Sequence, residues 1–235
     1  MRSADAAASA ISRFLDALVP AAARRHPDLD GTPARVAAAW ADDLLDGYRQ
    51  DPGAILSEAM PARGGDLVAV TGIDFHSMCP HHLLPSRGVA HVGYVPGRKV
   101  VGFGQIARLV DCFAHRLVLE EDLARHVAEA IVRHLGARGA ACVLDAEQSC
   151  LTVRGERRPR ARAHAQCFLG TFRRDAALQR RFLGLAESAN CEPRSARNGG
   201  SGAEPPDSRA AKPAARLAER ASAPKALRRR SGRGA

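Results

Sequence analysis

Two apolar stripes of helical period stand back to back in the middle of this sequence. They constrain its fold more than any other feature. Ile106, Leu109, Val110 and Phe113 form the first stripe; Leu123, Val127, Ile131 and Leu135 form the second. Spacings of three and four residues put each set on one helix face, and both faces need an apolar surface to cover. β-rich blocks lie on either side: "DLVAVTGIDF", "GVAHVGYVP" and "KVVGF" before, "GAACVLDAEQSCLTVRG" and "RARAHAQCFLGTF" after. A helix pair between strand blocks, without regular strand–helix alternation, predicts an α+β fold on an antiparallel sheet.

The remaining elements follow from local signals. Residues 4–19 read as an amphipathic helix with Ile11, Phe14, Leu15 and Leu18 on one face. Thr32 is the expected N-cap of the next helix, with Pro33 at its first position and Gly47 and Pro52 ending it. "GVAHVGYVP" and "KVVGF" are expected to pair around the Pro96-Gly97 turn. Glu120, Glu121 and Asp122 suit a helix N-terminus, and Gly136 suits its C-terminal cap. "RDAALQRRFLGLA" closes the ordered part as a helix. The expected organisation is an N-terminal helical region (1–50), a central domain (51–189) and a tail (190–235).

Charge separates the tail from the body. Residues 190–235 carry eleven Lys or Arg against four Asp or Glu, so they hold +7 of the chain's +10. Rich in Gly, Pro and Ser, the tail buries too little apolar surface to offset ordering entropy and is expected to be disordered. Its charge suits nucleic acid or another acidic surface, and the simpler reading is a solvated tail without a partner. Aromatics make up only 4% of the chain, so the core must rest on Ala, Val, Leu and Ile. No segment reaches the roughly 20 apolar residues of a membrane span, and the N-terminus lacks a secretory signal's apolar run. A cytoplasmic protein with free or ligating thiols is the expectation.

The stretch "FHSMCPHHLLP", read as a loop, sets a thiol and two imidazoles into Cys79, His81 and His82. Zinc takes Cys sulfur and His nitrogen, and C-x-x-H spacing lets one loop present both. A third ligand has to come from elsewhere. Cys150, read on a later strand segment among polar residues, is the candidate; Cys112 and Cys142 lie in apolar stretches and read as packed core thiols. From spacing alone, a metal site and an ordinary polar loop both remain open.

Longer motifs go further. "SMCPHHLLPSRGVAHVGYVP", "KVVGFGQIARLVDCFAHRLVLEEDLARHVAEAI" and "VLDAEQSCLTVRG" occur in the order in which similar motifs run through GTP cyclohydrolase I. The resemblance covers roughly residues 30–185. It implies a tunnelling fold: a four-stranded antiparallel sheet with two helices on one face, joined into a homo-oligomer that is typically a decamer. It also implies that Cys79, His82 and Cys150 hold Zn²⁺, with His81 as the neighbouring active-site histidine. Glu121 would hold the guanine ring, and Arg108 and Arg154 the triphosphate. The implied reaction opens the imidazole ring of GTP, releases formate and gives 7,8-dihydroneopterin triphosphate for tetrahydrofolate synthesis.

Four departures from the family pattern, at five positions, stand out. Gln148 replaces an imidazole, and an amide cannot act as a general acid near neutrality. Gly104 and Gln105 replace a serine and a lysine on the phosphate side. Glu120 replaces a glutamine and is expected to add negative charge near the substrate. Pro80 replaces an acid. His164 is read as an ordinary strand histidine and not as a substitute for the lost imidazole. The departures keep two alternatives alive: a paralogue that stops at a formamidopyrimidine or takes another purine compound, and a non-catalytic zinc-binding member.

Overall fold

A computed structural model of the chain describes residues 4–191. The basic-tail expectation falls outside these residues, except for the last two, which end a helix. The N-terminal part is helical: α1 (Ala4–Leu18), α2 (Ala21–Arg24), α3 (Thr32–Ala39) and α4 (Pro52–Ile55). The rest contains β1 (Met60–Pro61), β2 (Val68–Met78), β3 (Pro85–Val95), β4 (Lys99–Val100), α5 (Phe103–Ala114) and α6 (Glu120–Ala130). It continues through β5 (Gly139–Gln148), α7 (Ser149–Thr152), β6 (Ala163–Gly170), α8 (Thr171–Arg174) and α9 (Ala176–Cys191). The order agrees with the α+β reading.

Strands β2, β3, β5 and β6 form one antiparallel sheet in the order β2-β3-β5-β6. The α5 and α6 stripes lie on one face of it. Ile106, Leu109, Val110, Leu123, Val127 and Ile131 are buried there against Phe75, Ala90, Val92, Tyr94 and Leu144. Ala, Val, Leu and Ile dominate this core, as the low aromatic content requires. A smaller cluster covers part of the opposite face, where Phe172 and Phe182 pack near Ala141 and Val95. Gly93 makes room for them: a Cβ at that position would sit 2.8 Å from the Phe182 ring.

Three local expectations are corrected. Lys99–Val100 pairs with Met60–Pro61, not with β3; only four residues separate the Pro-Gly turn from the Gly102 that precedes α5. Strand β3 instead lies between β2 and β5, and of the Cys-His stretch read as a loop only Cys79–Leu84 is the turn from β2 to β3; Phe75–Met78 belong to β2 and Pro85 to β3. The N-cap of α3 is Gly31, at φ 71°, in place of Thr32; Thr32 instead accepts a hydrogen bond from the Arg35 guanidinium. Helix α1 forms as expected but buries none of its residues; Phe14 is 62% and Leu18 67% exposed. Its apolar face lines a groove of about 850 Å³ that runs past Val36 and Trp40 to His82 and Leu83.

The anchoring of α9 is testable. Phe182→Ala is expected to cost about 3–5 kcal/mol in denaturant unfolding, the range for emptying a buried phenylalanine site. Leu185→Ala, on the outer side of the same helix, should stay within about 0.5 kcal/mol.

Candidate metal centre

Backbone pairing brings the candidate ligands together. The β2–β3 turn spans Cys79–Leu84 and is closed by Leu83 N–H to Cys79 O at 2.9 Å and Cys79 N–H to Leu84 O at 3.0 Å. Leu83 closes it at φ 53°, a left-handed conformation that costs a branched residue roughly 1–2 kcal/mol. At the same end of the sheet, Ser86 of β3 lies opposite Gln148, the last residue of β5. The chain then enters α7, whose first turn carries Cys150. Cys150 therefore stands on a short helix and not on a strand; four residues are too few to show helical periodicity in the sequence.

The Cys79 Sγ, Cys150 Sγ and a His82 ring nitrogen all lie within 4.8 Å of one another. Cys79 is buried, Cys150 half-buried and His82 exposed, so the group opens to solvent on one side. Two thiols and an imidazole make the donor set that zinc prefers, and the spacing is compatible with one ion bonded at about 2.0–2.3 Å. Burial, and then the adjacent Cys79 thiol, push the Cys150 thiol up from its ordinary pKa. Cysteine binds a metal as the thiolate, so a metal taken up here would release protons.

The other expected site residues are distributed unevenly. The His81 Nδ1 lies 3.9 Å from Cys79 Sγ, and its ring meets the His82 ring edge-on at 6.2 Å between centroids. Glu121 is exposed on the first turn of α6, and Arg108 and Arg154 are exposed on α5 and after α7. Arg154 lies close enough to Cys150 to favour its thiolate. Arg108 makes no hydrogen bond or ion pair among the described residues. Gln105 donates through Nε2 to Glu58 Oε2 at 3.2 Å.

Glu120 and Gln148 meet beneath the cluster. Segment Leu117–Val118 is tied to the end of β2 by the Met78–Leu117 bridge and by Val118 N–H to Met78 O at 3.3 Å. That tie sets the start of α6 against the sheet. Ser77, Ser86 and Gln148 are register neighbours across β2, β3 and β5 and point to the helix side. Gln148 Nε2 donates to Glu120 Oε1 at 2.9 Å, and Ser77 Oγ donates to the same oxygen at 3.1 Å. Ser86 Oγ donates to Gln148 Oε1 at 3.0 Å, and the Cys150 thiol lies 3.8 Å from that oxygen. Glu120 is only 5% exposed, and its Oε2 is buried without a hydrogen-bond partner. Burial outweighs the hydrogen bonds and pushes this carboxyl above the usual carboxylate range. The expected extra negative charge is therefore held toward its neutral form.

Ser77 and Ser86 were not singled out from the sequence. Strand alternation carried the signal: Ser77 shares a face with buried Phe75, and Ser86 with buried Ala90 and Val92. Other histidines play structural parts. His115 Nδ1 lies 2.7 Å from Asp46 Oδ1, and His76 stacks on His115 at 4.3 Å. His91 is buried on the opposite face of the sheet and accepts the Gly72 N–H at 3.3 Å. His164 is largely exposed, 3.7 Å from Asp145. Burial pushes the Cys112 and Cys142 thiols up, as for inert packed thiols.

Comparison with known proteins places this arrangement. The family model described as GTP cyclohydrolase I matches residues 7–187. GTP cyclohydrolase 1 of Chromobacterium violaceum is 44% identical over 156 residues, covering 66% of this chain and 76% of that protein. The protein of the same name from Campylobacter lari is 39% identical over 168 residues, covering 70% of this chain and 88% of that one. Among solved structures, archaeosine synthase QueF-Like in its apo form matches 46% of this chain at 17% identity and TM-score 0.39. With a match across almost all of the described residues, the chain belongs to the GTP cyclohydrolase I family.

Proposed function

We propose that this enzyme is a zinc-dependent hydrolase that opens the imidazole ring of GTP, giving formate and 7,8-dihydroneopterin triphosphate. The convergence of Cys79, His82 and Cys150 within 4.8 Å carries the reading. These three residues would hold the ion. Bound zinc would supply Lewis acidity, making water nucleophilic near neutral pH.

The chain's own side chains account for the other requirements. Ring opening adds water at C8 of the purine and breaks a C8–N bond, so the departing nitrogen needs a proton. His81, exposed with its Nδ1 3.9 Å from Cys79 Sγ, is the imidazole assigned to supply it. A second water then releases formate. Glu121, exposed beside Glu120 at the start of α6, suits the N–H edge of guanine, and a buried edge bond of this kind discriminates against adenine. The exposed guanidinium groups of Arg108 and Arg154 suit phosphate oxygens. Gln105, engaged with Glu58, adds no positive charge there.

The homo-oligomer belongs to this proposal. Strands β2 and β6 are the two edges of the sheet among the described residues. Open edges invite pairing with another chain, and head-to-tail pairing of β2 with β6 closes a ring of copies. The cytoplasmic setting is likewise proposed. It is supported by free thiols at Cys79, Cys112, Cys142, Cys150 and Cys167 and by the lack of any described helix long and apolar enough to cross a membrane.

Gln148 supports a second reading, in which the reaction stops at the formamidopyrimidine or takes another purine compound. Its amide is committed to Glu120 and Ser86 and cannot transfer a proton.

Mass spectrometry of GTP incubated with the zinc-loaded full chain separates these outcomes. Formate with dihydroneopterin triphosphate is expected. An accumulating formamidopyrimidine selects the second reading, and unchanged GTP and purine analogues reject both. Cys79→Ser and Cys150→Ser should each weaken zinc binding by more than about 100-fold in chelator competition, beyond the range for residues supporting a ligand. Zinc retained near wild-type affinity by both variants would remove the metal centre.

A further inference from the structure

We propose that Glu120 is a positioning residue that acts as the neutral carboxylic acid and so lets either end of the Gln148 amide face Cys150. The inference rests on the reading of Cys79, His82 and Cys150 as a metal centre.

Hydrogen-bond bookkeeping leads there. Glu120 Oε1 accepts from two donors, Gln148 Nε2 and Ser77 Oγ, which is the pattern of an acid's carbonyl oxygen. Oε2 is buried and has no partner. A full negative charge on that oxygen, shut away from water, is far costlier than a proton on it. The strongest electrostatic neighbour of the group is Glu121 on the same helix; Cys142 of β5 also feels it, and neither is positive. Its hydrogen-bonding neighbours on β2, β3 and β5 are the neutral Ser77, Ser86 and Gln148. Burial raises its pKa, in agreement with the geometry.

A neutral acid does what a carboxylate cannot. A carboxylate only accepts, so it locks the Gln148 amide with Nε2 toward α6 and Oε1 toward Ser86 and Cys150. That orientation suits a protonated Cys150 thiol, which donates toward Oε1. A metal-ligating Cys150 is a thiolate and needs a donor instead. The amide can turn its N–H groups to the thiolate only if Glu120 then offers an O–H to the amide oxygen. The carboxylic acid serves both orientations, in the manner of the amide it resembles in shape. Glu120 thus acts on the metal ligand through Gln148, and no proton leaves it.

The stability sign follows. A carboxyl raised above its unfolded pKa binds more protons in the folded state, so its contribution is full below the ordinary Glu range and is lost as pH rises through the folded pKa. Glu120→Gln is permanently neutral and escapes that loss. The metal-free full-length Glu120→Gln variant should melt higher than wild type at pH 8, with the gap closing as pH falls toward the ordinary Glu range. Infrared spectra of wild type carrying ¹³C-labelled glutamate should show a protonated glutamic acid band at pH 7, distinguished by the label from Asp111, another acid pushed up by burial. Zinc affinity of Glu120→Gln should stay within about threefold of wild type, while Glu120→Ala should lose about 10–100-fold.

A wild type without the labelled acid band at pH 7 overturns the proposal. So does a Glu120→Gln variant that loses zinc as severely as Glu120→Ala. The band needs no turnover, so the two readings fail separately. An acid band and these zinc affinities without any reaction on GTP would reject the assigned reaction and keep this role for Glu120.

Discussion

A row of buried hydrogen bonds at one end of the sheet holds the site together. Ser77, Ser86 and Gln148 stand side by side on three strands, and Glu120 closes the row from the start of α6. Buried polar groups are tolerated when they satisfy one another, and strand register sets Ser77, Ser86 and Gln148 side by side to do so, with only the Glu120 Oε2 of this row left unpaired. Directly above the row, the β2–β3 turn and the first turn of α7 supply the three metal-type donors. The polar row and the donor cluster are two layers of one arrangement. The apolar core under α5 and α6 holds both in place, with its central residues fully buried.

The large elements were legible because their apolar residues repeat. The α5 and α6 stripes and the long alternating strands follow directly from side-chain period. Where the period was too short to register, the reading failed. Two residues of β4 went to the wrong partner, and four residues of α7 passed for strand. The β2–β3 connection carried no Gly turn signal because Leu83 takes the left-handed conformation itself. The donor cluster was legible through the order of its motifs, which joined Cys150 to a turn some seventy residues earlier. Ser77 and Ser86 escaped notice because serines at strand ends look like ordinary loop approaches. Only register reveals that they face inward.

The departures from the family pattern gain coherence in three dimensions. Read along the chain, Glu120 and Gln148 are separate losses: one adds charge, the other removes a titratable ring. In the fold they are hydrogen-bonded partners at 2.9 Å, and burial holds the acid toward neutrality. The pair is therefore one exchanged unit. Through Gln148 it reaches Cys150, whose thiol lies 3.8 Å from the amide oxygen. Gln105 differs from this pair: its amide is turned to Glu58 on the surface.

The antiparallel pairing of β3 with β5 runs without interruption from Val95–Gly139 to Ser86–Gln148. Side chains alternate along it, so adding or deleting a single residue in 139–148 would turn Gln148 to the far face and rotate Cys150 away from its partners. Chain length in this segment is thus held more tightly than composition. Drift among small apolar residues there leaves the donor cluster assembled, whereas one codon gained or lost dismantles it with all three donor residues still encoded.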